Sequence, residues 1–156
     1  MNEDGQGRVP TTEVLTELIS AESFQEFYAE NVDTLQLPSL SQYLAGLCED
    51  RGILPHRLFH ETDIEKSLGH QIFSGRRRLS RDNALKMAFG LELDVKETQR
   101  LLTISKNSQL YPFIPRDAAL LYCLHHGTGY QQTQGHLFEW GMTVLGDDTR
   151  YEKHSD

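Results

Sequence analysis

Glycine closes one apolar-periodic stretch of this chain after another. Gly52, Gly75, Gly90, Gly127 and Gly141 each follow a segment whose apolar residues recur at helical spacing. Several of these segments open on a capping residue: Ser39 or Ser41, Ser80, and Asp94. This punctuation confines each helix to about three turns. No segment alternates apolar and polar residues between hairpin turns, so strands are not expected. With 38% hydrophobic and 24% charged residues, a packed core is expected rather than disorder. The expectation is an all-α fold, a compact bundle of about seven or eight short helices.

Residues 1–10, with Gly5, Gly7 and Pro10, read as a mobile tail. Thr11 or Thr12 opens a helix carrying Val14, Leu15, Leu18 and Ile19, and a second follows with Phe24, Phe27 and Tyr28. Leu35 to Pro38 is a connector. The next helix holds Leu40, Tyr43, Leu44 and Leu47. Pro55 suits the first turn of a brief helix to about Glu61, with Leu58 facing inward. Past Thr62-Asp63-Ile64 another helix runs from about Glu65 to Ser74. Arg76 to Leu79 is a loop, and Ser80 caps a helix with Ala84, Leu85, Ala88 and Phe89 that Gly90 ends. Asp94 and Glu97 form a capping box ahead of Val95, Leu101, Leu102 and Ile104. After a loop at 105–115, helices cover about Arg116–His126 and Tyr130–Trp140, and a polar tail begins at Asp147. The organisation is thus an acidic helical extension over 1–36, a central domain over 37–104, a helical pair over 105–146 packed on it, and the tail over 147–156.

Several functions are excluded by what is missing. The apolar run from Ala118 to Leu124 is far shorter than the ~20 residues a bilayer requires. Glu3, Asp4, Glu13, Glu17, Glu22 and Glu26 rule out a signal peptide near the start, so a cytoplasmic location is expected, without a membrane partner. Cys48 and Cys123 sit in helical patterns as small core residues and support neither a disulfide framework nor a zinc site. His125 and His126 diverge by about 100° on a helix, and with His136 they read as polar helix ends. No nucleophile elbow, phosphate-cradling glycine motif or catalytic carboxylate pair appears, so no enzyme, cofactor or metal is expected. Leu120, Leu121, Leu124, Leu137, Phe138 and Trp140 read as core between the last two helices; any part left exposed would be a partner site.

Charge is unevenly placed. The net charge of −8 opposes phosphate binding as a whole-chain figure. Yet residues 1–36 hold eight acidic groups against Arg8, a net of −7, while residues 51–86 carry Arg51, Arg57, Lys66, Arg76, Arg77, Arg78, Arg81 and Lys86 against four acids, a net of +4. The acidic segment is either a solvated cap packing Phe24, Phe27 and Tyr28 on the bundle, or a shield over the basic loop.

Residues 54–90 place two short helices around a tight turn, then the Gly75 stop, the Arg76-Arg77-Arg78-Leu79 loop and a Ser80-capped helix leading to Leu85, Ala88 and Leu91. This resembles the lambda-repressor-like (XRE-type) helix-turn-helix DNA-binding family over roughly residues 39–104. His70-Gln71-Ile72-Phe73-Ser74-Gly75 through Ser80-Arg81-Asp82 is similar to a bacterial subgroup with extra flanking helices. The resemblance implies a sequence-specific transcriptional regulator whose second motif helix enters the major groove of double-stranded DNA. Lys66, Ser67, His70 and Gln71 would read bases, Lys toward guanine and Gln toward adenine. Arg76, Arg77, Arg78 and Arg81 would hold the phosphate backbone. Ile72 would face the core, and Gly69 would mark a close helix contact. A homodimer on paired half-sites, and a protein partner through the flanking helices, are compatible partners. The alternative is a protein-interaction adaptor with little DNA affinity, favoured by the net charge, by Glu65 at the helix start and by Pro55 where the family usually has Gln.

Overall fold

A computed structural model describes residues 11–33 and 35–146. The tails at 1–10 and from Asp147, and the side chain of Thr11, lie outside the described residues. Nine helices and no strand form among those described: α1 (Thr11–Ser20), α2 (Phe24–Asn31), α3 (Leu40–Arg51), α4 (Pro55–Glu61), α5 (Lys66–Phe73), α6 (Arg81–Gly90), α7 (Val95–Ile104), α8 (Pro115–His125) and α9 (Tyr130–Glu139). Two units divide after Pro38, the first holding α1 and α2 and the second α3 to α9. None of the described helices is long and apolar enough to cross a membrane.

Local chemistry sets the helix starts. The Ser39 and Ser80 hydroxyls accept from the amides of Gln42 and Asn83, and Pro55 and Pro115 occupy first-turn positions where no amide hydrogen is needed. At α7 the Asp94 carboxylate accepts from the Glu97 amide at 2.7 Å while Glu97 accepts from the Asp94 amide at 3.0 Å. Gly90 is the last residue of α6, as expected, but it is Glu92 beyond it that takes the left-handed conformation, with φ of 58°. Gly90 also answers to space: a Cβ on it would stand 2.5 Å from Thr62 Cγ2 and 2.7 Å from Leu58 Cδ1. Glycine there lets α4 approach α6.

The second unit packs around α6. Ala84, Leu85, Lys86, Met87, Ala88 and Phe89 are all buried, so this helix has apolar neighbours on every side. It contacts α4, α7 and α9, while α3 packs on α5 and α8 on both α7 and α9. Leu44, Leu58, Ile72, Leu85, Leu101, Leu120 and Leu137 are sealed into a single cluster. Each such side chain contributes about 1.5–3 kcal/mol on leaving water.

Two side-chain amides pin the connections. Gln99 donates to the Leu110 carbonyl at 2.9 Å and accepts from the Leu110 amide at 2.8 Å. Gln134 treats Leu145 the same way, at 3.0 and 2.8 Å. Each satisfies the backbone of a loop that has no ladder of its own. In the first unit, Phe27 is buried; Phe24 and Tyr28, expected to pack with it, remain exposed and stack on each other at 5.9 Å. Leu15, Leu18 and Ile19 are exposed as well.

Replacing Gly90 with Ala raises helix propensity yet forces a methyl into Thr62 and Leu58. The expected net effect is a loss of about 1–3 kcal/mol, read from the shift in urea-unfolding midpoint; a stabilised variant would contradict the close approach of α4 and α6.

Candidate nucleic-acid interface

The chain reverses between α4 and α5 at Thr62-Asp63-Ile64. Asp63 adopts a left-handed conformation, φ 58°, which short polar side chains tolerate better than most. The Thr62 hydroxyl donates to the Leu58 carbonyl at 2.6 Å, and Ile64 is buried, its amide donating to the Phe59 carbonyl. Two distant residues fasten this turn. The Tyr130 hydroxyl donates to the Asp63 carboxylate at 3.1 Å, and Lys86 Nζ donates to the Asp63 carbonyl at 3.0 Å.

The turn delivers α5 with one face inward. Gly69 and Ile72 are buried, and a Cβ on Gly69 would meet the Phe59 ring at 2.7 Å. On the other side Lys66, Ser67 and His70 are exposed and Gln71 is half-buried. Their spacing puts 66 with 70 and 67 with 71, one turn apart on a shared face. The structure therefore brings the four expected base-reading residues together. Glu65 caps α5 through its carboxylate, which accepts from the Leu68 amide at 3.2 Å, so this negative group is held at the helix end where the dipole favours it.

The loop after α5 is folded back on the helix rather than trailing from it. Gly75 has φ of 84°, and the amides of Arg76 and Arg77 both donate to the Gln71 carbonyl, at 2.8 and 3.2 Å. Leu79 is fully buried, and Asn107 Nδ2 donates to its carbonyl at 3.0 Å, which anchors the far end. Arg76, Arg77 and Arg78 are exposed between these anchors and form no ion pair with a carboxylate among the described residues.

The other cations of the basic stretch have different work. Arg81, expected to hold phosphate, is committed inside the fold: its guanidinium makes two bonds to the Asp117 carboxylate, at 3.2 and 2.9 Å, and others to the carbonyls of Ser108 and Gln109. Four of its bonds are made before any ligand arrives. Arg116 answers from α8, bonding both oxygens of Asp82 at 3.0 Å. Arg51 clasps Glu97 on α7 at 3.1 and 2.9 Å, Arg57 faces Glu61 at 3.4 Å, and Lys86 is buried on the turn. What remains for solvent is Lys66, Arg76, Arg77 and Arg78, all on α5 and its loop. The sequence pattern contained no signal for Tyr130 or Asn107, which act across long separations.

Elsewhere the chemistry is quiet. Burial pushes the Cys48 and Cys123 thiols above their ordinary values, so neither presents a reactive thiolate. His126 stacks on Tyr122 at 4.1 Å and His136 on Trp140 at 4.9 Å. No group of three metal-ligating side chains converges among the described residues. An open cleft of about 660 Å³ beside α8 is lined by Arg81, Arg116, Asp117, Tyr111 and Met142, its arginines already paired.

Burial is the main cause that pushes the Tyr130 hydroxyl up from 10.0 to about 12; the neighbouring Asp63 carboxylate adds to it, and the Gln134 bond partly offsets it. A value raised on folding stabilises the protein fully below about pH 10 and loses that contribution as pH rises through about 12. The stability advantage of wild type over Tyr130→Phe, measured by urea unfolding, should shrink steadily across that window; a constant advantage would sink the Tyr130–Asp63 clasp. No family model, curated protein or solved structure matches this chain, so the cationic ridge stands on its own geometry.

Proposed function

We propose that the protein is a sequence-specific DNA-binding regulator in which α4 and α5 act as a helix-turn-helix and α5 enters the major groove. One observation carries this reading. Of the eight cations between Arg51 and Lys86, those left unpaired by the fold are Lys66 on α5 and Arg76, Arg77 and Arg78 directly after it. A groove-filling helix followed by a phosphate grip requires this distribution. Lys66, Ser67, His70 and Gln71 form the base-reading face. Arg76, Arg77 and Arg78 hold the backbone; Arg81 leaves that set and serves to orient α6 against α8. The net charge of −8 is then a long-range opposing field, which makes affinity depend strongly on the local ridge and on salt.

A second reading, an adaptor that binds protein, is favoured by exposed aromatic side chains on and after the last two helices: Tyr122 at 57% and Trp140 at 44% exposure, their rings 6.3 Å apart, and Phe138 at 79%. Phe138 and Trp140, expected in the core, are at the surface instead. Within the regulator reading, these exposed side chains are the contact between two copies that places two reading helices on paired half-sites about one helical turn apart.

Titration of duplex DNA over a salt series separates the readings. Three arginines on phosphates give a log–log slope of about −2.7, falling toward zero when Arg76, Arg77 and Arg78 become Ala. Arg81→Ala should keep the wild-type slope while lowering stability by about 3–5 kcal/mol, because Asp117 is left buried without its cation. No association at low salt, or an unchanged slope in the triple variant, overturns the regulator.

Sedimentation tests the contact between copies. Tyr122→Ser with Phe138→Ser should convert a dimer to a monomer without altering the melting transition by more than a few degrees; a wild-type monomer at all concentrations removes the dimer.

A further inference from the structure

Of the fifteen large apolar side chains exposed among the described residues, eight lie in the first unit and seven in the far longer second one. On α1, Leu15, Leu18 and Ile19 recur at helical spacing and form one stripe, with Ile19 at 74% exposure. On α2, Phe24 and Tyr28 stand one turn apart and stack on each other, open to water. Phe27 is the one buried side chain among the described residues of this unit. Both helices are nonetheless formed, and α2 is tied locally: the Ser23 hydroxyl accepts from the Glu26 amide at 3.3 Å, and Asn31 Nδ2 donates to the Phe27 carbonyl at 2.8 Å. Helices of ten and eight residues are marginal in water unless an apolar face is packed. These two therefore need a surface to cover them.

Charge says what kind of surface. Glu13, Glu17, Glu22, Glu26, Glu30 and Asp33 stand between residues 11 and 38, and no Lys, Arg or His does. None of these carboxylates forms an ion pair among the described residues. Nucleic-acid phosphates and anionic lipid headgroups are repelled by such a segment, and a second copy would set six carboxylates against six. We propose that α1 and α2 are a docking element for another protein, one that offers an apolar groove rimmed by lysine or arginine. The apolar stripe fills the groove, as an amphipathic helix does in a partner. The carboxylates meet the rim, which fixes orientation and speeds encounter. The inference goes beyond the DNA-binding reading and does not depend on it, because none of the cations of that reading belongs to this unit.

The full-length protein tests this against a synthetic helical peptide with leucine on one face and lysine on the rest, binding being read by fluorescence anisotropy. Wild type should bind the peptide, and binding should weaken as salt rises. Leu15→Ser with Ile19→Ser and Phe24→Ser should weaken it by about tenfold or more. Glu13→Gln with Glu17→Gln keeps the apolar face and should flatten the salt dependence. A peptide with glutamate in place of lysine should not bind. Equal binding by the serine variant, or by the glutamate peptide, overturns the proposal. So does self-association of wild type in sedimentation that the serine variant abolishes, since the occupant would then be a second copy. A fall of more than a few degrees in the melting transition of the serine variant overturns it too, since the face would then already be covered. The titration contains no nucleic acid, so its result stands or falls apart from the regulator.

Discussion

Two crossed ion pairs hold the second unit to a single arrangement. Arg81 and Asp82 are neighbours at the start of α6; Asp117 and Arg116 are neighbours at the start of α8, and each cation takes the other helix's anion. Asp117 is almost wholly buried and also accepts from the Tyr111 amide at 2.9 Å. A buried carboxylate is tolerated only with such partners, and misplacing either helix would strand one of them. Hydrophobic burial supplies the drive to collapse, but it is non-directional. The crossed pairs, with the Arg116 bonds to the carbonyls of Thr143 and Val144, select one alignment of α6 with α8 and the segment after α9.

From that alignment the exposed ridge follows by subtraction. Each cation that the core requires is drawn to a carboxylate or carbonyl, and those on α5 and its loop are left facing water. Of the acids nearest in sequence, Glu61 pairs with Arg57, while Glu65 and Asp63 keep their charge and are held by the Leu68 amide and the Tyr130 hydroxyl. Charges beyond a few ångströms act on one another only weakly, because solvent and salt screen them.

Much of the architecture is legible in the sequence. The caps at Ser39, Ser80 and Asp94, the Pro55 start and the Gly75 stop are local signals, read within three or four residues, and the helices begin and end close to them. The inward position of Ile72 and the tight contact at Gly69 were readable from the face each occupies. The failures share one cause. Arg81 looks like a phosphate ligand, and Phe138 and Trp140 like core, when only their neighbours in the chain are considered. Their actual positions depend on Asp117 of α8 and on how α9 packs. Charge identity is visible in a sequence; charge pairing is a property of the fold.

The bond between Tyr130 and Asp63 spans 67 residues. Closing so long a loop is entropically unfavourable until the intervening helices have packed. During synthesis the reversal between α4 and α5 is therefore made long before its fastening emerges. A nascent chain ending near Asn107 has that turn without Tyr130, and the clasp closes only when α9 arrives.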